Sequence, residues 1–138
     1  MKISSVIQHL EMLAPPALQE AYDNTGLLTG NEHWECTGII ITLDATEEVV
    51  KEALNKQCNL IVAHHPIIFK GLKKINGKNY VERTIISSIK NDIAIYAIHT
   101  NLDNVIKGVN GKIAELLNLQ NLAVLQPREQ NSKILQVK

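Results

Sequence analysis

Three apolar runs constrain this chain more than any other feature: Ile39 to Leu43, Leu60 to Ala63 and Ile93 to Ile98. They are rich in β-branched residues and do not alternate with polar ones, the pattern of strands buried on both faces of a parallel sheet. Parallel neighbours need crossover connections, and the intervening segments supply them. Asp44-Ala45-Thr46-Glu47 offers an N-cap with an acid in the first turn, and Val49, Val50, Ala53 and Leu54 follow at helical spacing. Val81, Ile85, Ile86 and Ile89 form a second helical stripe, ended by Asn91-Asp92. The sequence therefore predicts an α/β fold with a βαβαβ core and a mainly parallel sheet.

The flanks add smaller elements. Ile3, Val6, Ile7, Leu10 and Leu13 predict an amphipathic helix stopped by Pro15-Pro16, then a short second helix over Leu18 to Tyr22 and a turn at Asp23-Asn24-Thr25-Gly26. Ile113, Leu116 and Leu117 mark a further helix, and Leu122 to Leu125 reads as one more strand. Pro127 to Ser132 is polar, yet Lys133 to Val137 begins to alternate again. The expected division is an α/β metal-binding domain over residues 1–126, then a linker and the first residues of a further domain over 127–138. On that reading the chain stops inside an element that continues beyond it.

At 138 residues with 45% hydrophobic content, one domain can bury a core without disulfides. The 14 basic and 14 acidic residues cancel, leaving no excess positive field to hold a phosphate backbone, so nucleic acid is a poor partner. Cys36 and Cys58 lack metal-knuckle spacing, and two cysteines so placed suit a reducing compartment. No stretch has the continuous apolar character of a signal peptide or the ~20 residues of a membrane span. These features together predict a cytoplasmic location with no membrane partner.

Each apolar run ends in residues that can do chemistry: Asp44 after the first, His64-His65 after the second, and His99-Thr100-Asn101-Leu102-Asp103 after the third. Open parallel sheets bind ligands beyond the carboxyl ends of their strands, so the three clusters should meet at one edge. Imidazole nitrogens with carboxylate oxygens and no thiolate suit Zn, Mn, Fe, Co or Ni, whereas Mg and Ca prefer all-oxygen shells. Consecutive strand residues point to opposite faces, so His64 and His65 are expected to face different ions of a two-metal site. A lone His-His pair is more often a polar strand end or loop than a ligand pair; convergence with His99 and Asp103 brings the metal reading level with it. Asp44 is expected to cap a helix, and His99 to be a ligand itself or, on the favoured reading, to orient one through a hydrogen bond. His9 and His33 fall outside the cluster. Gly71 to Asn79 superficially suggests a phosphate loop, but its spacing is one residue too long and Asn79 replaces the metal-binding hydroxyl. It reads better as a basic surface turn whose lysines could still meet an anionic substrate.

With these residues in view, the chain resembles the NIF-three-like family. Tyr22-Asp23-Asn24-Thr25-Gly26-Leu27-Leu28 is similar to that family's Trp-Asp-Asn-x-Gly-Leu segment with Tyr for Trp, and Leu43-Asp44-Ala45-Thr46 to its Leu-Asp-x-Thr. His64-His65-Pro66-Ile67-Ile68-Phe69-Lys70-Gly71-Leu72 and His99-Thr100-Asn101-Leu102-Asp103 resemble its two most specific signatures. The resemblance runs from the first helix to about Gln126. It implies the N-terminal half of an α/β protein with a dinuclear divalent-metal centre, ligated here by His64, His65 and Asp103, with His99 nearby. It also implies completion of that centre by a His and a Glu from a C-terminal segment absent here, and assembly into a toroidal homohexamer. The activity implied is GTP cyclohydrolase 1 type 2, a metal-dependent hydrolysis of a nucleotide in which His99 could move protons. The alternative is a non-catalytic metal-containing interaction or regulatory module, since the family takes its name from binding a transcription factor.

Overall fold

A computed structural model of the chain describes residues 1–124. Residues 125–138, and with them the expected linker and final alternating segment, lie outside the described residues. Four strands, β1 (Gly26–Thr29), β2 (Ile39–Asp44), β3 (Leu60–His65) and β4 (Ala94–Ala97), form one sheet in the order β1-β4-β3-β2. β2, β3 and β4 run parallel, and β1 joins β4 antiparallel. The crossovers are α2 (Glu47–Asn55) and α3 (Tyr80–Lys90), so the βαβαβ core is present as the apolar runs predict.

The register explains the two cores. Ile40 lies beside Ile61 and Ile61 beside Ile95, while Val62 lies beside Tyr96, and in-register residues share a face. On one face Leu60, Val62, Ala94, Tyr96 and Ile98 pack under Ile3, Val6 and Ile7 of α1 (Ile3–Leu13). On the other, Ile61, Ala63, Ile93 and Ile95 meet Val50 and Ala53 of α2. Each large side chain so buried contributes about 1.5–3 kcal/mol.

Several local expectations differ from the structure. The segment after Pro15 is a single 3-10 turn over Pro16–Leu18 rather than a helix reaching Tyr22. Residues 122–124 form no strand, and Leu125 is outside the described residues. The cap of α2 is Thr46, whose hydroxyl accepts from the Val49 amide, rather than Asp44. α3 turns Glu82, Thr84, Ile85 and Ser88 inward while Ile89 is exposed, because small hydroxyl side chains let the helix lie close to the sheet, where Ser88 Oγ is 3.4 Å from Thr29 Oγ1. β2 is an edge strand: α1 covers β3 and β4 but not β2, so Ile41 is 84% exposed and Ile39 and Leu43 are exposed too. β1 carries no clear sequence signal, being four residues long and opening on Gly26 at φ +105°. The helix expected around Ile113 is α5 (Val109–Leu116), though Ala114 rather than Ile113 or Leu116 is its buried residue.

Candidate metal centre

Because β2, β3 and β4 are parallel, their carboxyl ends share one edge, and the residues that follow each strand are brought together there. His64 and His65 end β3, Asp44 ends β2, and His99 leads into the single turn α4 (Thr100–Asp103). That turn is locked from within: the fully buried Asn101 side chain accepts from the His99 amide at 2.9 Å and donates to the Ala14 carbonyl at 2.8 Å. The turn is what swings Asp103 back over the sheet edge, leaving its Oδ1 3.9 Å from His64 Nε2.

The three imidazoles of His64, His65 and His99 converge, with one ring nitrogen from each within 4.8 Å of the others. Ring centroids are 4.9 Å apart for His64 and His65, 5.2 Å for His64 and His99, and 5.6 Å for His65 and His99. Strand alternation alone would separate His64 from His65, yet at the end of β3, just before Pro66, both rings lean into one cluster.

Each ring is held through Nδ1 by an oxygen. His64 Nδ1 lies 3.0 Å from the Ile98 carbonyl, His65 Nδ1 2.8 Å from Asp44 Oδ1, and His99 Nδ1 2.9 Å from Asp23 Oδ1. A carbonyl or ionised carboxylate only accepts, so in all three rings Nδ1 carries the proton and, in the neutral form, Nε2 presents a lone pair. Metal-binding histidines are oriented in this way: an oxygen on the far nitrogen fixes the tautomer and leaves the near one to the ion. Asp44 is therefore a partner of His65, not the helix cap that its position suggests.

Asp23 is the residue of this site that sequence reasoning passes over. Its side chain is fully buried. Oδ1 accepts from His99 Nδ1 and from the Asn24 amide at 2.8 Å, and Oδ2 accepts from the Thr100 amide at 3.1 Å and from the Thr100 hydroxyl. Burial pushes the carboxyl pKa up, but the bonds from the Thr100 hydroxyl, the His99 imidazole and the amides of Asn24 and Thr100 outweigh it and hold the group below its usual 3.8. The neighbouring Asn24 donates to the Ile68 carbonyl, tying this turn to the loop that follows the paired histidines. Only the family-like Tyr-Asp-Asn-x-Gly signature marks these residues, since hydropathy shows no more than a turn.

His9 bonds the Ser5 carbonyl on α1, and His33 stands beside Glu32 on the surface, so neither joins the cluster. Gly71 to Asn79 is no phosphate loop: it ends with the Asn79 side chain capping α3 through the Glu82 amide at 2.9 Å.

Comparison with known proteins agrees with the fold and with these motifs. The chain is 43% identical over 125 residues to a protein of Staphylococcus epidermidis named GTP cyclohydrolase 1 type 2 homolog, covering 91% of this chain and 34% of that protein. A Clostridium perfringens protein of the same name is 43% identical over 117 residues, covering 85% of this chain and 45% of its own. The crystal structure of a Bacillus cereus protein related to NIF3 superposes with a TM-score of 0.87 at 43% identity, over 93% of this chain and 35% of that one. This chain thus spans between a third and a half of the length of these relatives. Residues 1–137, with the histidine pair at the end of β3 and the His99-to-Asp103 turn among them, match one family profile throughout, and the chain belongs to the Duf34/NIF3 (NGG1p interacting factor 3) family.

Proposed function

We propose that this sheet edge holds at least one divalent cation and serves a metal-dependent hydrolysis, with His64, His65 and Asp103 as ligands and His99 as the proton-handling group. The observation that carries the reading is the convergence of three imidazoles, one ring nitrogen of each within 4.8 Å of the others, with each ring tied at Nδ1 to an oxygen so that Nε2 is left open. Structural histidines at a strand end have no reason to leave the same nitrogen open three times over. Nitrogen and carboxylate donors without thiolate fit Zn, Mn, Fe, Co or Ni.

A cation held there supplies Lewis acidity and makes water a better nucleophile near neutral pH. The protein's own part follows from its hydrogen bonds. His99 can take the proton of an attacking water at Nε2, and the buried Asp23 carboxylate on Nδ1 steadies the imidazolium that results. His65 is held in register by Asp44, and His64 by the backbone of β4's end. The relatives' name, GTP cyclohydrolase 1 type 2 homolog, supports reading the substrate as GTP; the reaction so proposed opens the imidazole ring of the guanine and releases formate. The face of β2 that no other described residue covers, with Ile39, Ile41 and Leu43 exposed, favours a second reading, a metal-containing interaction module.

Elemental analysis of the purified protein beside a His64→Ala/His65→Ala variant tests the metal, and formate release from GTP tests the reaction. The proposal expects metal in the parent and none in the variant, and turnover that falls with Asp103→Asn. Equal metal in both proteins sinks the site; metal without turnover on any nucleotide leaves the interaction module.

A further inference from the structure

A cavity of about 390 Å³ opens beside His65 and Asp44, between the loop that follows β3 and the first turn of α3. Its size falls in the range of small-molecule sites. Phe69 and Leu72 from the loop and Tyr80 from α3 give it apolar and aromatic walls, and all three side chains are exposed. Large apolar groups gathered around one cavity and left in solvent mark a surface that something covers. Asn24 braces the loop through the Ile68 carbonyl, which joins the wall to the same turn that carries Asp23.

The loop that walls this cavity is one-sided in charge. Between Pro66 and Glu82 the chain carries Lys70, Lys73, Lys74 and Lys78 against the one carboxylate of Glu82. That carboxylate is turned inward, accepting from the amides of Asn76 and Lys78 at 3.0 Å each and from the Asn79 side chain at 2.8 Å. Among the described residues none of the four ammonium groups has an ion-pair partner, and Lys70 lines the cavity itself. The carboxylate of Asp44 at the other end is engaged by His65. An occupant is thereby oriented: its anionic group belongs at Lys70, and its neutral part lies between the aromatic walls with one edge towards His65.

We infer that this cavity binds the substrate of the adjacent histidine cluster, and that the substrate is a flat ring system bearing a phosphate, the class that includes the purine nucleotide proposed above, with the ring against Phe69 and Tyr80 and the phosphate on Lys70. The assignment of the ligand as substrate rests on the hydrolase reading above; the binding site itself does not. Tyr80 and Lys70 set specificity here by contact with the ligand, at a distance from the ring nitrogens of the cluster.

The test is an NMR titration of the metal-free full chain, in chelator, with 1-naphthyl phosphate, alongside 1-naphthol and inorganic phosphate. Naphthyl phosphate is expected to shift the amide signals of Phe69, Lys70, Leu72 and Tyr80 and to bind about tenfold more tightly than either half alone. Lys70→Met should weaken it roughly three- to tenfold, the worth of one partly exposed charge-assisted contact, and leave naphthol unchanged. Tyr80→Ala should weaken both aromatic ligands roughly threefold or more. Naphthol binding as tightly as its phosphate, phosphate binding as tightly without the ring, or shifts confined to other residues would each overturn the inference. A parallel metal titration of the same samples separates the two readings: binding of the probe with no metal bound under any condition defeats the hydrolase proposal and leaves the pocket standing.

Discussion

Replacing Asp23 with Asn removes one charge and changes one acceptor to a donor, in a pocket where every position around the carboxylate faces an N–H or O–H. The four bonds come from the Asn24 amide, His99 Nδ1, the Thr100 amide and the Thr100 hydroxyl. The hydroxyl can rotate, and it already accepts from the Glu20 amide at 2.9 Å. The other donors cannot. If the new carbonyl stays on the Asn24 and His99 side, the amide nitrogen of Asn faces the Thr100 N–H, in a buried residue, and orphans it at about 1–3 kcal/mol. The bond to His99 also loses its charge assistance, roughly another 1 kcal/mol. If the side chain flips instead, His99 must move its proton to Nε2 and forfeit the lone pair that faces the cluster. Asp23→Asn should therefore cost about 2–4 kcal/mol, a fall in Tm of roughly 8–16 °C for a domain of this size. Thermal unfolding followed by circular dichroism gives the stability, and nitrogen-15 correlation spectra of the imidazole rings give the His99 tautomer. A variant that melts within 2 °C of the parent with an unchanged tautomer would refute the claim that Asp23 holds this edge together.

Other expectations follow from single residues. Burial, with a smaller contribution from the Glu11 charge, pushes the Tyr96 hydroxyl up to about 12 from its ordinary 10.0. The unfolded chain thus ionises first, and stability should fall as pH rises from about 10 to about 12, by roughly 2–3 kcal/mol; denaturant titrations of Tyr96→Phe should lack that part of the alkaline loss. Gly26 sits at φ +105° with no described residue within 4 Å of an added Cβ, so Gly26→Ala should cost roughly 1–3 kcal/mol in urea unfolding through backbone strain alone. Thr84 Oγ1 is buried with no hydrogen-bond partner among the described residues, and Thr84→Val, which keeps the shape and drops the hydroxyl, should leave stability unchanged or raise it by about 1 kcal/mol.

Much of the candidate cluster is legible in the sequence. His64, His65, His99 and Asp103 each follow an apolar run, and parallel strands must deliver such residues to one edge, so strand assignment and direction sufficed to gather them. The helix pattern was less reliable where burial is shared unequally. Ile89 looks like a core position at helical spacing from Ile85 and Ile86, but the face that α3 turns to the sheet is set by where Ser88 can approach Thr29. The Ile39–Leu43 run looks buried on both sides because hydropathy does not record which strand lies at the edge, and α1 is too narrow to cover β2.

The sequence by itself determined the parallel βαβαβ core, since period, β-branching and crossover length are local properties that few other folds satisfy. What only the tertiary structure decided is the partner of each histidine. β1 is short and pairs antiparallel with β4, Gly26 opposite Ala97, and that direction carries the turn before β1 to the carboxyl end of β4. Asp23 and His99 are thus 76 positions apart in sequence and 2.9 Å apart in space. A local pattern cannot announce such a contact, because the strand pairing that creates it forms between two segments neither of which encodes the other.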